Sequence, residues 1–108
     1  MMNVDELSKV DFAALAWEQP APGVRFKAVT RGDQKLRLVE FTDEFNEPDW
    51  CRNGHAGYVL AGTLEIQFAD RRVTFRAGEG LFILPGEAEK HRASVTHGCA
   101  TLILVETA

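Results

Sequence analysis

From Val24 onward the chain repeats with a period of two. Val24, Phe26 and Ala28 alternate with Arg25 and Lys27, Leu64, Ile66 and Phe68 with Glu65 and Gln67, and Val73 and Phe75 with Arg72, Thr74 and Arg76. In an extended chain successive side chains point to opposite faces, so each run has one dry face and one wet face. Turn signals cut the pattern at short intervals: Gly32-Asp33, Gly62, Ala69-Asp70, Pro85-Gly86 and Thr96-His97-Gly98. Leu81–Leu84 and Thr101–Val105 read as buried strands. About seven or eight short strands with tight turns bury their dry faces only against one another, which makes the chain an all-β sandwich or barrel.

The first 23 residues are different. Asn3 can cap a turn or two of helix in which Val4 and Leu7 share a face. Phe12 to Trp17 is apolar and alanine-rich, and fits either a continuing helix or a segment lying along a sheet edge. Pro20-Ala21-Pro22-Gly23 is expected to break any regular element. The division is therefore an N-terminal arm, residues 1–23, and a single barrel, residues 24–108. Phe12–Trp17 has no evident place inside so short a barrel, and is expected to pack against a second subunit in a two-fold homodimer.

Composition narrows the function. The net charge is −4 and the cations are scattered, which argues against nucleic acid as a partner. The apolar runs are too short to span a membrane. Cys51 and Cys99 are the only cysteines, and without a basic, apolar leader they read as free thiols in the cytoplasm. Cys99, at the start of the last strand, is expected in the core, as are Tyr58, Phe68, Phe75 and Phe82.

Two stretches hold the residue types that carry chemistry. Asp49-Trp50-Cys51-Arg52-Asn53-Gly54-His55 runs into the strand Tyr58-Val59-Leu60 and the turn at Gly62. Gly78-Glu79-Gly80 precedes Leu81–Leu84, Pro85-Gly86, and then Glu89 and His91. No phosphate loop, nucleophile elbow, CxxC or HExxH is present.

In these stretches the sequence resembles the cupins, in particular the small single-domain kind. The first motif of that family places Asp43, Asp49, Cys51, His55 and Gly62 at its conserved spacings, with Cys51 and His55 where the family carries histidine and glutamate ligands. The second motif, anchored at Gly78, places Gly86 and Glu89, with His91 two residues on and on the same face of an extended strand. The 15 residues between Gly62 and Gly78 match the short hairpin of small bacterial members. The resemblance implies a double-stranded β-helix, or jelly roll, over Val24 to Glu106. It also implies a pocket inside it, and activities that range over dioxygenases, isomerases, epimerases and sensors.

On that reading Cys51, His55 and His91 are the candidate ligands of a divalent transition metal, whether zinc, iron, manganese or nickel. Glu89 competes with His91 by strict count. It is otherwise the candidate catalytic acid/base, or a carboxylate that orients the histidine. Asp49 reads as a solvated loop residue, His97 as a surface residue, and Trp50 as the aromatic at the pocket mouth. A small organic molecule is the expected partner, and a metal-free pocket that binds by hydrogen bonds is the alternative.

Overall fold

A computed structural model describes residues 8–108 of the chain. The longest alternating runs pair first in the architecture: β2 (Val24–Arg31) and β3 (Gln34–Thr42) form a hairpin registered from Val24 opposite Phe41 to Arg31 opposite Gln34. Its two-residue turn has Gly32 at φ +60° followed by Asp33. A turn that is left-handed at its first central position matches the right-handed twist of the strands it joins.

Sequential pairing then gives way to crossovers. In chain order the remaining strands are β1 (Glu18–Ala21), β4 (His55–Ala61), β5 (Thr63–Phe68), β6 (Arg72–Arg76), β7 (Gly80–Ile83), β8 (His91–Ser94) and β9 (Cys99–Thr107). They form a six-stranded antiparallel sheet in the order β1-β2-β3-β9-β4-β7, and a three-stranded antiparallel sheet in the order β6-β5-β8. The inner faces of the two sheets share one core, built around Val39, Val59, Leu64 and Leu102, with Ile66, Phe68, Leu81 and Ile83 around them. Each large apolar side chain buried in this way contributes about 1.5–3 kcal/mol. The architecture is all-β, as the alternation implies, and its two antiparallel sheets fit the jelly roll that the resemblance implied.

Several local expectations are corrected. Glu18–Ala21 is a strand and not a break, pairing with β2 despite Pro20. It is the edge of the sheet, where a residue lacking an N–H is tolerated. Phe12–Trp17 contributes a single 3-10 turn, Phe12–Ala14, and then lies against the outer side of its own β2. There the Arg25 guanidinium sits 4.1 Å from the Trp17 ring centre, and Lys27 Nζ donates to the Phe12 carbonyl at 2.7 Å. Asn3, Val4 and Leu7 lie outside the described residues.

Strand parity also moves residues out of the core. Cys99 is exposed, because Ala100, Leu102 and Leu104 are the inward set of β9. Tyr58 and Phe82 point outward from β4 and β7, Phe82 with 82% of its surface exposed. With Leu60, Leu84 and Val105 they make an exposed apolar area on the outer side of β4, β7 and β9. Among the described residues no helix is long and apolar enough to cross a membrane.

Candidate metal centre

Three elements bring the donors together. His55 opens β4, and the inward parity it shares with Val59 turns its ring into the space between the sheets. His91 opens β8 on the small sheet opposite Phe68, and is nearly fully buried. Cys51 lies in the loop before β4, tied to His91 by two main-chain hydrogen bonds. Cys51 N donates to His91 O at 2.8 Å, and His91 N donates to Cys51 O at 2.9 Å. That isolated bridge sews the loop onto the small sheet, so a residue without strand structure of its own is held to the first residue of a strand.

The donor atoms of Cys51, His55 and His91 all lie within 4.8 Å of one another. The imidazole rings, 36 residues apart in sequence, stand edge-on with centres 5.0 Å apart. Cys51 Sγ is 3.8 Å from His55 Nε2. Each ring is oriented by its other nitrogen. His55 Nδ1 donates to Glu106 Oε2 at 2.5 Å, and His91 Nδ1 to the Glu89 carbonyl at 2.9 Å. Both Nε2 atoms are thereby left to face the thiol. Fixing one ring nitrogen to present the other is how metal-binding histidines are set. A soft sulfur with two imidazoles is a donor set that suits zinc, iron and related ions.

Electrostatics agree with the geometry. Hydrogen bonds from His55, His91 and the Asn53 N–H lower the Cys51 thiol to about 6. Burial works to lower the His55 imidazole, but its bonds to Cys51 and Glu106 win and raise it to about 9. His91 is also raised, the bonds to Cys51 and the Glu89 carbonyl outweighing burial. For Glu106 burial acts upward, yet His55 and Arg37 bring the carboxyl down to about 2. Without a metal, the centre is a thiolate beside imidazolium.

Glu106 is the residue the sequence reading missed. It accepts from Arg37 through both oxygens, at 2.5 and 2.8 Å, as well as from His55. In the chain it stands in the tail Val105-Glu106-Thr107-Ala108 and resembles a solvated end. The available signal was parity, since Glu106 falls in the inward set with Leu102 and Leu104. Glu89, by contrast, is not brought to the centre. Its carboxylate accepts from the Leu84 N–H at 2.5 Å, and its contribution is the main-chain carbonyl that holds His91. The Pro85-Gly86 turn bends the chain so that this carboxylate caps the end of β7. Asp49 is exposed, as expected. Trp50 is not part of the cavity wall; the Arg92 guanidinium lies 4.2 Å from its ring centre.

The donors open on a cavity of about 860 Å³ between the sheets. Its wall is largely apolar, with Phe41, Phe45, Leu64, Ile66 and Leu102 among its residues, and it carries Lys35, Arg37, Glu47 and Glu106 as charged members. That volume lies within the range of small-molecule sites.

No family model and no curated protein matches the sequence. Solved structures do match the fold. The polyketide cyclase RemF from Streptomyces resistomycificus superposes with a TM-score of 0.76 at 20% identity, over 99% of this chain and 80% of that one. An RmlC-like cupin from Shewanella frigidimarina gives 0.73 at 14% identity, over 91% and 87%. A cupin-2 domain protein from the same organism gives 0.63 at 24% identity, over 77% and 79%. With the two-sheet topology, these likenesses show that the chain has the fold of the cupins.

Proposed function

We propose that the protein binds a divalent transition metal through Cys51, His55 and His91 and takes a small organic ligand in the adjoining cavity. The observation that carries this reading is the convergence of three donors whose second hydrogen-bonding partners are already supplied. Three protein donors leave a coordination position free, which is the arrangement of catalytic sites rather than of closed structural ones. A metal so held supplies Lewis acidity, or redox chemistry if it is iron, to a ligand beside it. The residues of the chain do the rest: Glu106 and the Glu89 carbonyl fix the imidazoles, Arg37 holds Glu106, and the largely apolar wall offers contact to the body of the ligand. The similarity to a polyketide cyclase supports an enzyme acting on an organic substrate.

Titration of metal-free protein with zinc at several pH values tests the assignment. Above about pH 6 the Cys51 thiol is already ionised, whereas His55 keeps its proton until about 9. Zinc must displace that proton, so affinity should rise about tenfold per pH unit between 7 and 9 for each proton released. It should fall away toward pH 5. No saturable heat at any pH defeats the metal reading, whereas saturable binding with a profile flat across that range defeats the protonated state assigned to His55.

One observation favours a metal-free binding module instead. No buried side-chain nitrogen or oxygen among the described residues lacks a hydrogen-bond partner, so the centre is self-satisfied as a thiolate–imidazolium pair. Failure of zinc, iron, manganese and nickel alike to bind would decide for it.

The homodimer expected from the sequence is proposed here through another surface. Phe12–Trp17 packs on its own chain, whereas Tyr58, Leu60, Phe82, Leu84 and Val105 make an uncharged patch that a second copy can match about a two-fold axis. Light scattering should give twice the 12.0 kDa of one chain, and Phe82→Glu should return the monomer. A wild-type monomer at micromolar concentration sinks this.

A further inference from the structure

We infer that the cavity selects an organic anion, a carboxylate with an apolar body, and that Lys35 is the residue that selects it. The inference rests on reading the cavity as a ligand site, but not on a metal being bound.

Every other charged side chain in the cavity wall is already engaged. Arg37 is bound through two nitrogens to Glu106, which also accepts from His55. Glu47 Oε1 accepts from the Ala93 N–H at 2.9 Å. Lys35 alone has no ion pair or side-chain hydrogen bond among the described residues, although it is half-buried and lines the cavity.

Register places it beside the donors. Lys35 pairs with Glu106, and Ala56 with Val105, so Lys35, Glu106 and His55 stand in one row across β3, β9 and β4. Strands about 4.8 Å apart put the ends of that row roughly 10 Å from each other. A lysine stem of four carbons can cover part of that span. Glu106 lies between the two, but its oxygens are taken up by Arg37 and His55. The ammonium is therefore a cation facing the cavity with no counter-charge of its own.

A partly desolvated ammonium gains from an anionic partner, and bonds to charged groups are the stronger kind. Behind the row the wall is apolar: Ile66, Leu102, Leu104, Phe41 and Phe45. A carboxylate at Lys35 with a hydrocarbon body against these residues satisfies both ends. A sugar would leave the apolar wall unmatched, and an amine would meet like charge.

Hexanoate, hexanol and hexylamine serve as probes, titrated by backbone amide chemical shifts into metal-free and zinc-loaded protein. Hexanoate should bind about tenfold more tightly than hexanol in both forms, and hexylamine least. Lys35→Gln should remove that tenfold preference and leave hexanol unchanged, and Lys35→Arg should retain most of it. A preference that survives Lys35→Gln, or equal binding of hexanoate and hexanol, overturns the proposal. If the preference appears only with zinc and survives Lys35→Gln, the carboxylate goes to the metal; the proposal falls while the metal assignment stands. If no probe shifts any cavity residue, the ligand-site reading falls with it.

Discussion

Replacing His55 by alanine should abolish metal binding, with a loss well beyond the 10–100-fold that removal of an outer hydrogen-bonding partner costs. With only Cys51 and His91 left there are two donors, and the described residues offer no third donor grouped with them. Glu106 does not substitute, because Arg37 keeps both of its oxygens. Glu106→Gln is the instructive companion. It retains the shape but weakens the acceptor that fixes His55 Nδ1, and it leaves Arg37 facing a neutral amide. Zinc affinity should fall about 10–100-fold, with the metal still bound at high concentration. Elemental analysis and calorimetric titration of both variants give the comparison. Full zinc occupancy in His55→Ala at the wild-type affinity would show that the metal sits elsewhere.

The second large effect concerns folding. Gly62 should not tolerate alanine. It turns the chain between β4 and β5 at φ +78°, and a Cβ there would stand 2.0 Å from the Cys99 carbonyl oxygen and 2.9 Å from Ala100 Cα. Both neighbours are main-chain atoms of the strand that joins β4 to β3, so neither can swing aside as a side chain would. The left-handed conformation costs about 1–2 kcal/mol for a residue with a Cβ, and the main-chain collision adds to it. A total above roughly 3 kcal/mol is a large share of a domain's stability, and implies a fall in Tm of more than about 12 °C for a chain of this length. Gly32→Ala isolates the backbone contribution, since Gly32 also has positive φ, +60°, but nothing lies within 4 Å of its added Cβ. Its cost should stay near 1–2 kcal/mol. Calorimetric melts of the two variants that coincide would refute the collision argument.

The sequence by itself determined those strands whose apolar and polar residues alternate strictly, together with their faces. The alternation of Leu64, Ile66 and Phe68 with Glu65 and Gln67 settles which residues lie together on β5, because the period of an extended chain is a local property of its geometry. The Cys51–His55 spacing and the later His91 likewise marked the residues that converge. What no local pattern holds is the pairing between strands distant in the chain. Tyr58 and Phe82 are as apolar as core residues, yet point outward, because the parity of β4 and β7 is fixed by Val59, Leu81 and Ile83. Pro20 looked like a break and is an edge strand, since only position in the sheet decides whether a missing N–H matters. Glu106 and Lys35 had no distinguishing neighbours in the sequence. They reached the cavity wall when β9 took its place between β3 and β4, which set one inward-facing row across three strands. A one-residue slip in that register would turn the row to solvent, so the tertiary pairing, and not the composition of any single strand, built the polar end of the cavity.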